Sequence, residues 1–103
     1  MEEARSKSSE VDINHDKQNN RFVGETASGD EFFVEYSVEH AGVLNAYHTF
    51  VPPSGRGCGL GSKLCVKLFE FAEKEKHLVK PSCTYISDNF LVKNPKYLEF
   101  VAK

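Results

Sequence analysis

The sequence predicts an α+β domain: a four-stranded antiparallel meander, a glycine loop, one long helix, a fifth strand parallel to the fourth, and short helical pieces near the C-terminus. Three observations carry this expectation. Apolar residues alternate with a period of two through the first half, glycines cluster near the midpoint, and the period switches to 3.6 immediately afterwards. At 103 residues the chain holds one domain with a small core.

Residues 1–10 are polar and rich in Ser and Glu, the composition of a disordered tail, so the domain is expected over 11–103. Val11 and Ile13 begin a first strand, "DKQNN" at Asp16 to Asn20 turns it, and Phe22 and Val23 continue as a second. After "ASGD", the aromatic and β-branched run from Glu31 to Val38 is a third strand. "VLNAYHTFV", Val43 to Val51, is the fourth.

Leu60, Leu64, Leu68 and Ala72 then share one helical face with Cys65 and Phe69 beside them, and Lys63, Lys67, Glu70 and Lys74 share the other. This predicts an amphipathic helix ending near His77. Leu78 to Ile86 reads as a fifth strand, with Pro81 marking an edge or a point of separation because it cannot donate to a ladder. A helical crossover makes that strand parallel to the fourth. Two short helical pieces are expected beyond Ser87, the second carrying Tyr97, Leu98 and Val101.

Charged residues make up 27% of the chain but leave a net charge of only −2, which argues against nucleic acid as a partner. No apolar run is long enough to span a bilayer, and the first residues lack the apolar stretch of a secretory signal, so an intracellular protein, cytoplasmic or nuclear, is expected. Cys58, Cys65 and Cys83 match neither a disulfide framework nor a zinc-site spacing and read as free thiols. No metal is expected.

The segment "VPPSGRGCGLGSKL" places Gly55, Gly57, Gly59 and Gly61 directly ahead of the helix. Bare amides at a helix N-terminus suit an anion, most often a phosphate or pyrophosphate. A Walker loop needs Lys right after the last glycine, where Ser62 stands instead. A dinucleotide fingerprint needs a glycine at that same position and a parallel βαβ context, and neither is present. R-x-x-G-x-G is matched by Arg56, Gly59 and Gly61.

That motif, with Val51-Pro52 before it and "PSCTYISDNFLVKNP" after the helix, resembles the GNAT superfamily of acetyl-CoA-dependent acyltransferases. The order and spacing are similar to small single-domain members, a plant representative among them. The resemblance spans about Ile13 to Tyr97 and implies acetyl-CoA as co-substrate and a primary amine as acceptor: a protein lysine, a chain terminus or a small amine.

It implies a cofactor surface as well. The backbone of Phe50 and Val51 would pair with the pantetheine amides, and the amides of Gly57, Cys58, Gly59, Leu60, Gly61 and Ser62 would wrap the pyrophosphate beside Arg56. Asn89, Phe90, Lys93 and Asn94 would line the far end of the carrier. Lys93, standing where relatives carry Arg, is either a single phosphate contact or an ordinary surface lysine.

For catalysis, His48 and Cys83 lie on adjacent expected strands and are read as pointing together into the gap between them. His48 is the candidate base, since imidazole titrates near neutral pH. The resemblance favours Cys83 as the catalytic candidate, acting as acid to the leaving thiolate or as a nucleophile carrying the acetyl group. Tyr85, two residues on along a strand, would share its side, with core packing the simpler role. The competing reading is a module that binds CoA or an acyl-CoA with weak or no turnover. No motif fixes the oligomeric state.

Overall fold

A computed structural model of the chain describes residues 12–102, so the expected tail and Val11 lie outside the described residues. Five strands form one sheet in the order β1 (Asn14–Asp16), β2 (Arg21–Glu25), β3 (Glu31–Glu39), β4 (Val43–Phe50) and β5 (Leu78–Pro81). The first four pair antiparallel, and β5 pairs parallel to β4. This is the expected α+β arrangement.

The turns follow local chemistry. A 3-10 turn over Lys17–Asn19 ends on Asn20 at φ 53, a left-handed conformation that Asn tolerates better than most side chains. Gly29 at φ 87 and Gly42 at φ 73 let the next two connections close tightly.

The long helix, α1 (Leu60–Glu75), buries Leu60, Leu64, Cys65, Leu68, Phe69 and Ala72. It is capped by Lys76 in a left-handed conformation, one residue short of the expected end at His77. Its apolar face packs with Phe32, Val34 and Tyr36 of β3 and with Leu44 and Ala46 of β4 in one core. Each fully buried leucine there contributes about 1.5–3 kcal/mol of transfer free energy.

The fifth strand is shorter than the expected Leu78 to Ile86 because Pro81 ends it. Residues 84–93 are helical and are called α2: two helical residues, a π-helical segment over Ile86–Phe90, and an α-helical turn over Leu91–Lys93. A 3-10 helix, Pro95–Phe100, follows. Val101 is not part of it but makes a parallel bridge to Val79, and the Ala102 amide donates to the Val79 carbonyl at 2.8 Å, so the end of the chain ties down β5.

The edge strand β1 is fastened by His15. Its ring stacks on Phe22 at 4.1 Å between centroids, meets the edge of Phe71 from α1 at 4.3 Å, and hydrogen-bonds through Nε2 to the Tyr36 hydroxyl. Burial, with a smaller push from Lys17 and opposed by Asp16, holds the His15 imidazole below its ordinary titration range. A histidine depressed in the folded chain binds its proton first in the unfolded chain, so its stabilising contribution is complete above about pH 6.5 and is lost as pH falls through the lowered folded value. Urea midpoints of wild type and His15→Gln between pH 8 and 5 should therefore converge as pH falls; a constant difference across that range would exclude this linkage.

Candidate active site

β4 and β5 share only four register pairs, from Val43 with Leu78 to Ala46 with Pro81. Beyond that point β4 runs on through Tyr47 to Phe50 with, among the described residues, only β3 as a strand partner. The chain leaves β5 through a tight corner. The Ser82 hydroxyl donates to Asn45 Oδ1 at 2.6 Å, and the Cys83 amide donates to the Ala46 carbonyl at 2.9 Å. The Cys83 carbonyl then accepts from the amides of Ile86 and Ser87 at 3.0 and 3.2 Å, starting α2. Cys83 is thus at the corner where the strands part and not inside a strand, and Tyr85 lies in the first turn of α2.

The expected pairing of His48 with Cys83 is not formed. Register runs from Glu35 opposite His48 to Tyr36 opposite Ala46, leaving Tyr47 as an extra residue in a β-bulge. One extra residue reverses the alternation. Thr49, opposite the buried Val34, therefore faces the helix side, while His48, opposite Glu35, faces away from it.

Cys83 Sγ donates to Thr49 Oγ1 at 3.4 Å. His48 Nδ1 lies 3.2 Å from Glu35 Oε1, with its ring edge-on to Phe33 and its side chain 52% exposed. A carboxylate only accepts, so Nδ1 carries the hydrogen, and in the neutral ring Nε2 presents the lone pair. Thr49 is the site residue that the sequence reading missed. A bulge leaves no mark in a period-two pattern, so no sequence signal pointed to it.

The glycine loop uses its residues in two ways. Gly57 and Gly59 have φ of 84° and 74°, and a Cβ on either would meet nothing within 4 Å, so their backbone is bare to solvent. Gly55 and Gly61 instead make room. A Cβ at Gly55 would stand 2.8 Å from Leu60 Cδ1, and one at Gly61 would stand 3.0 Å from the Tyr85 ring. Between β4, the loop and α2 lies a cavity of about 290 Å³ lined by Thr49, Val51, Gly57, Gly61 and Tyr85 among others.

The first intrahelical bond of α1 runs from the Lys63 amide to the Gly59 carbonyl at 3.1 Å, which leaves the amides of Leu60, Gly61 and Ser62 without helical acceptors. The first turn holds no acidic residue, and the Gly59 cap has no side chain to offer. Arg56 is exposed, and its Nε donates to the Val51 carbonyl at 3.0 Å. Cys58 is exposed in the loop. This end of α1 has the donors and the positive dipole end that an anion requires.

The cofactor-lining residues expected on α2 divide. Asn89 and Lys93 are exposed. Phe90 is 1% exposed, its ring stacked on Phe69 and Tyr97, so it belongs to the core and has no free face for a carrier. Asn94 closes the end of α2, its Nδ2 donating to the Phe90 carbonyl at 2.9 Å.

The three thiols are free, and their settings differ. Burial, with a lesser contribution from nearby Cys83, pushes the Cys65 thiol far up and keeps it protonated. Burial, then Cys65 and Cys83, likewise raise the Tyr85 hydroxyl. Cys83 is half-buried and hydrogen-bonds to Thr49, which lines the cavity.

Thermal unfolding should separate the two classes of glycine. Gly55→Ala is expected to cost about 1–3 kcal/mol through overpacking. Gly57→Ala is expected to cost about 1–2 kcal/mol through its positive φ alone. A neutral Gly55→Ala would contradict the close approach of Leu60.

A family model described as GCN5-related N-acetyl-transferase matches residues 21–100, from β2 to the final 3-10 helix. The match covers the parted strands, the glycine loop and the Cys83 corner together. The chain therefore belongs to the GCN5-related N-acetyltransferase family, an acyltransferase family that uses acetyl-CoA as co-substrate.

Proposed function

We propose that this protein transfers the acetyl group of acetyl-CoA to a primary amine, with the reaction centred where β4 and β5 part. The observation that carries this reading is the conjunction of free amides at the start of α1 and an unpaired β4 edge around one cavity, with a half-buried thiol bonded to Thr49 of its lining. The residues fit the co-substrate. Amides of Gly57 to Ser62 would hold its pyrophosphate, and the Phe50 and Val51 backbone would meet its pantetheine amides once Arg56 releases the Val51 carbonyl. Exposed Asn89 and Lys93 extend the surface, and Lys93 offers one point charge to phosphate.

Acetyl-CoA supplies an acyl group already activated as a thioester. The protein has to orient it, take a proton from the amine and return one to the leaving sulfur as the C–N bond forms and the C–S bond breaks. Cys83 stands on the helix side to serve the sulfur, either as acid or as a nucleophile that carries the acetyl group. His48 stands on the opposite side with Nε2 free and Glu35 fixing Nδ1, suited to accept the amine's proton as the acceptor approaches across that face. Two faces of one sheet thus serve donor and acceptor. The acceptor is an amine on a protein or a small molecule, and the reading places the enzyme in the cytoplasm or nucleus.

Labelled acetyl-CoA offered with an amine panel tests this. Cys83→Ala or His48→Ala should lower turnover by about tenfold or more, while calorimetric CoA affinity stays within about threefold, since neither residue is assigned to the carrier. Acetyl-CoA alone, rapidly quenched, distinguishes the routes, because a nucleophilic Cys83 gains about 42 Da. Saturable CoA binding with no transfer to any amine would favour a binding module. Absence of CoA binding by a folded chain would remove the reading altogether.

A further inference from the structure

Thr49 enters neither the family motif nor the roles above, yet among the described residues it is the side chain hydrogen-bonded to Cys83 Sγ. We propose that Thr49 is a positioning residue for the Cys83 sulfur: its hydroxyl accepts from the resting thiol and turns to donate to the thiolate once the proton has left. The proposal deepens the reading that Cys83 takes part in acetyl transfer and rests on it.

The geometry supplies the argument. The Cys83 backbone is held on both sides, its amide by the Ala46 carbonyl and its carbonyl by the amides of Ile86 and Ser87, so χ1 is the freedom left to the sulfur. Thr49 Oγ1 fixes that rotamer from β4, where a β-branched side chain is itself stiff. The bulge at Tyr47 aims Thr49 there, since unbroken alternation would have turned it to the other face.

A hydroxyl is suited to this place because it both donates and accepts and reverses by rotating one O–H bond, with no heavy atom moving. Valine, of the same shape, does neither. Among the described residues, neither the Cys65 thiol nor the Tyr85 hydroxyl is hydrogen-bonded to the Cys83 sulfur, which bonds to Thr49 Oγ1.

Both routes pass through a Cys83 thiolate. As acid, Cys83 gives its proton to the CoA sulfur and regains one from water. As nucleophile, it gives its proton to water, its sulfur bonds to the acetyl carbon, and the CoA sulfur leaves with the electron pair of the broken C–S bond and takes a proton from water. The amine then forms the C–N bond, gives up its proton, and displaces Cys83 as thiolate. In either case a negative sulfur forms 3.4 Å from Thr49 Oγ1, and hydrogen bonds to charged groups are stronger than those between neutral ones.

The test uses Thr49→Val, Thr49→Ser and Thr49→Ala in the full chain. Iodoacetamide labelling of Cys83, read on its own peptide with exposed Cys58 as the internal reference, should slow about tenfold in Thr49→Val and return to within about threefold in Thr49→Ser. Turnover should follow the same order with KM for acetyl-CoA little changed. Should Thr49→Val not fold, Ser against Ala is judged on the same scale. Unchanged labelling in Thr49→Val, or a serine variant as slow as valine, would overturn the proposal. If Cys83→Ala instead turns over like wild type, the role of Cys83 in transfer fails while the labelling result still judges its pairing with Thr49.

Discussion

β5 pairs with β4 as far as Pro81, and the separation of the two parallel strands starts there. The chain turns out of the sheet at once, through Ser82 and Cys83. Past this turn lie the open edge of β4 beyond Ala46, the corner that holds Cys83, and the start of α2 beside the first turn of α1. Ser82 and Cys83 make the corner rigid by bonding back to Asn45 and Ala46. The gap is held open by the same residues that close the sheet below it.

The helix side and the opposite side of the sheet are built from different materials. On the helix side α1 buries its apolar stripe against β3 and β4, and its N-terminal amides open onto a cavity. Glycine at position 61 keeps that contact open, because a Cβ there would crowd the Tyr85 ring at 3.0 Å. On the opposite side Phe33, Glu35, His48 and Phe50 form a polar and aromatic surface around the end of β4, with Phe33 and Phe50 ring centroids 5.7 Å apart. The bulge at Tyr47 sits between these two environments and assigns each β4 side chain to one of them.

Most of the fold is legible in the sequence. The four-strand meander, the helix from Leu60 and the parallel return of β5 follow from periods of two and 3.6 and from the handedness of crossovers. The loop was legible for the same local reason, since glycines at positive φ ahead of a helix declare their use. Less legible were the ends. Leu78 to Ile86 reads as one continuous strand, but β5 ends at Pro81, Ser82 and Cys83 form a corner, and "TYI" is helical. Val101 reads as helical and bridges to Val79 instead, because β5 offers a free edge that the chain end can reach.

By itself, then, the sequence determined which segments are strands and helix, where the glycine loop ahead of α1 lies, and to which family the chain belongs, because these depend on patterns local in the chain. Only the tertiary structure decided which side chains meet. His48 was in phase with buried Leu44 and Ala46, and the unpaired Tyr47 moved it to Glu35 and brought Thr49 to Cys83. Phe90, placed by resemblance on the carrier's surface, was drawn into the core by Phe69 and Tyr97. Register between strands and packing between helices depend on partners distant in sequence, and no local period records them.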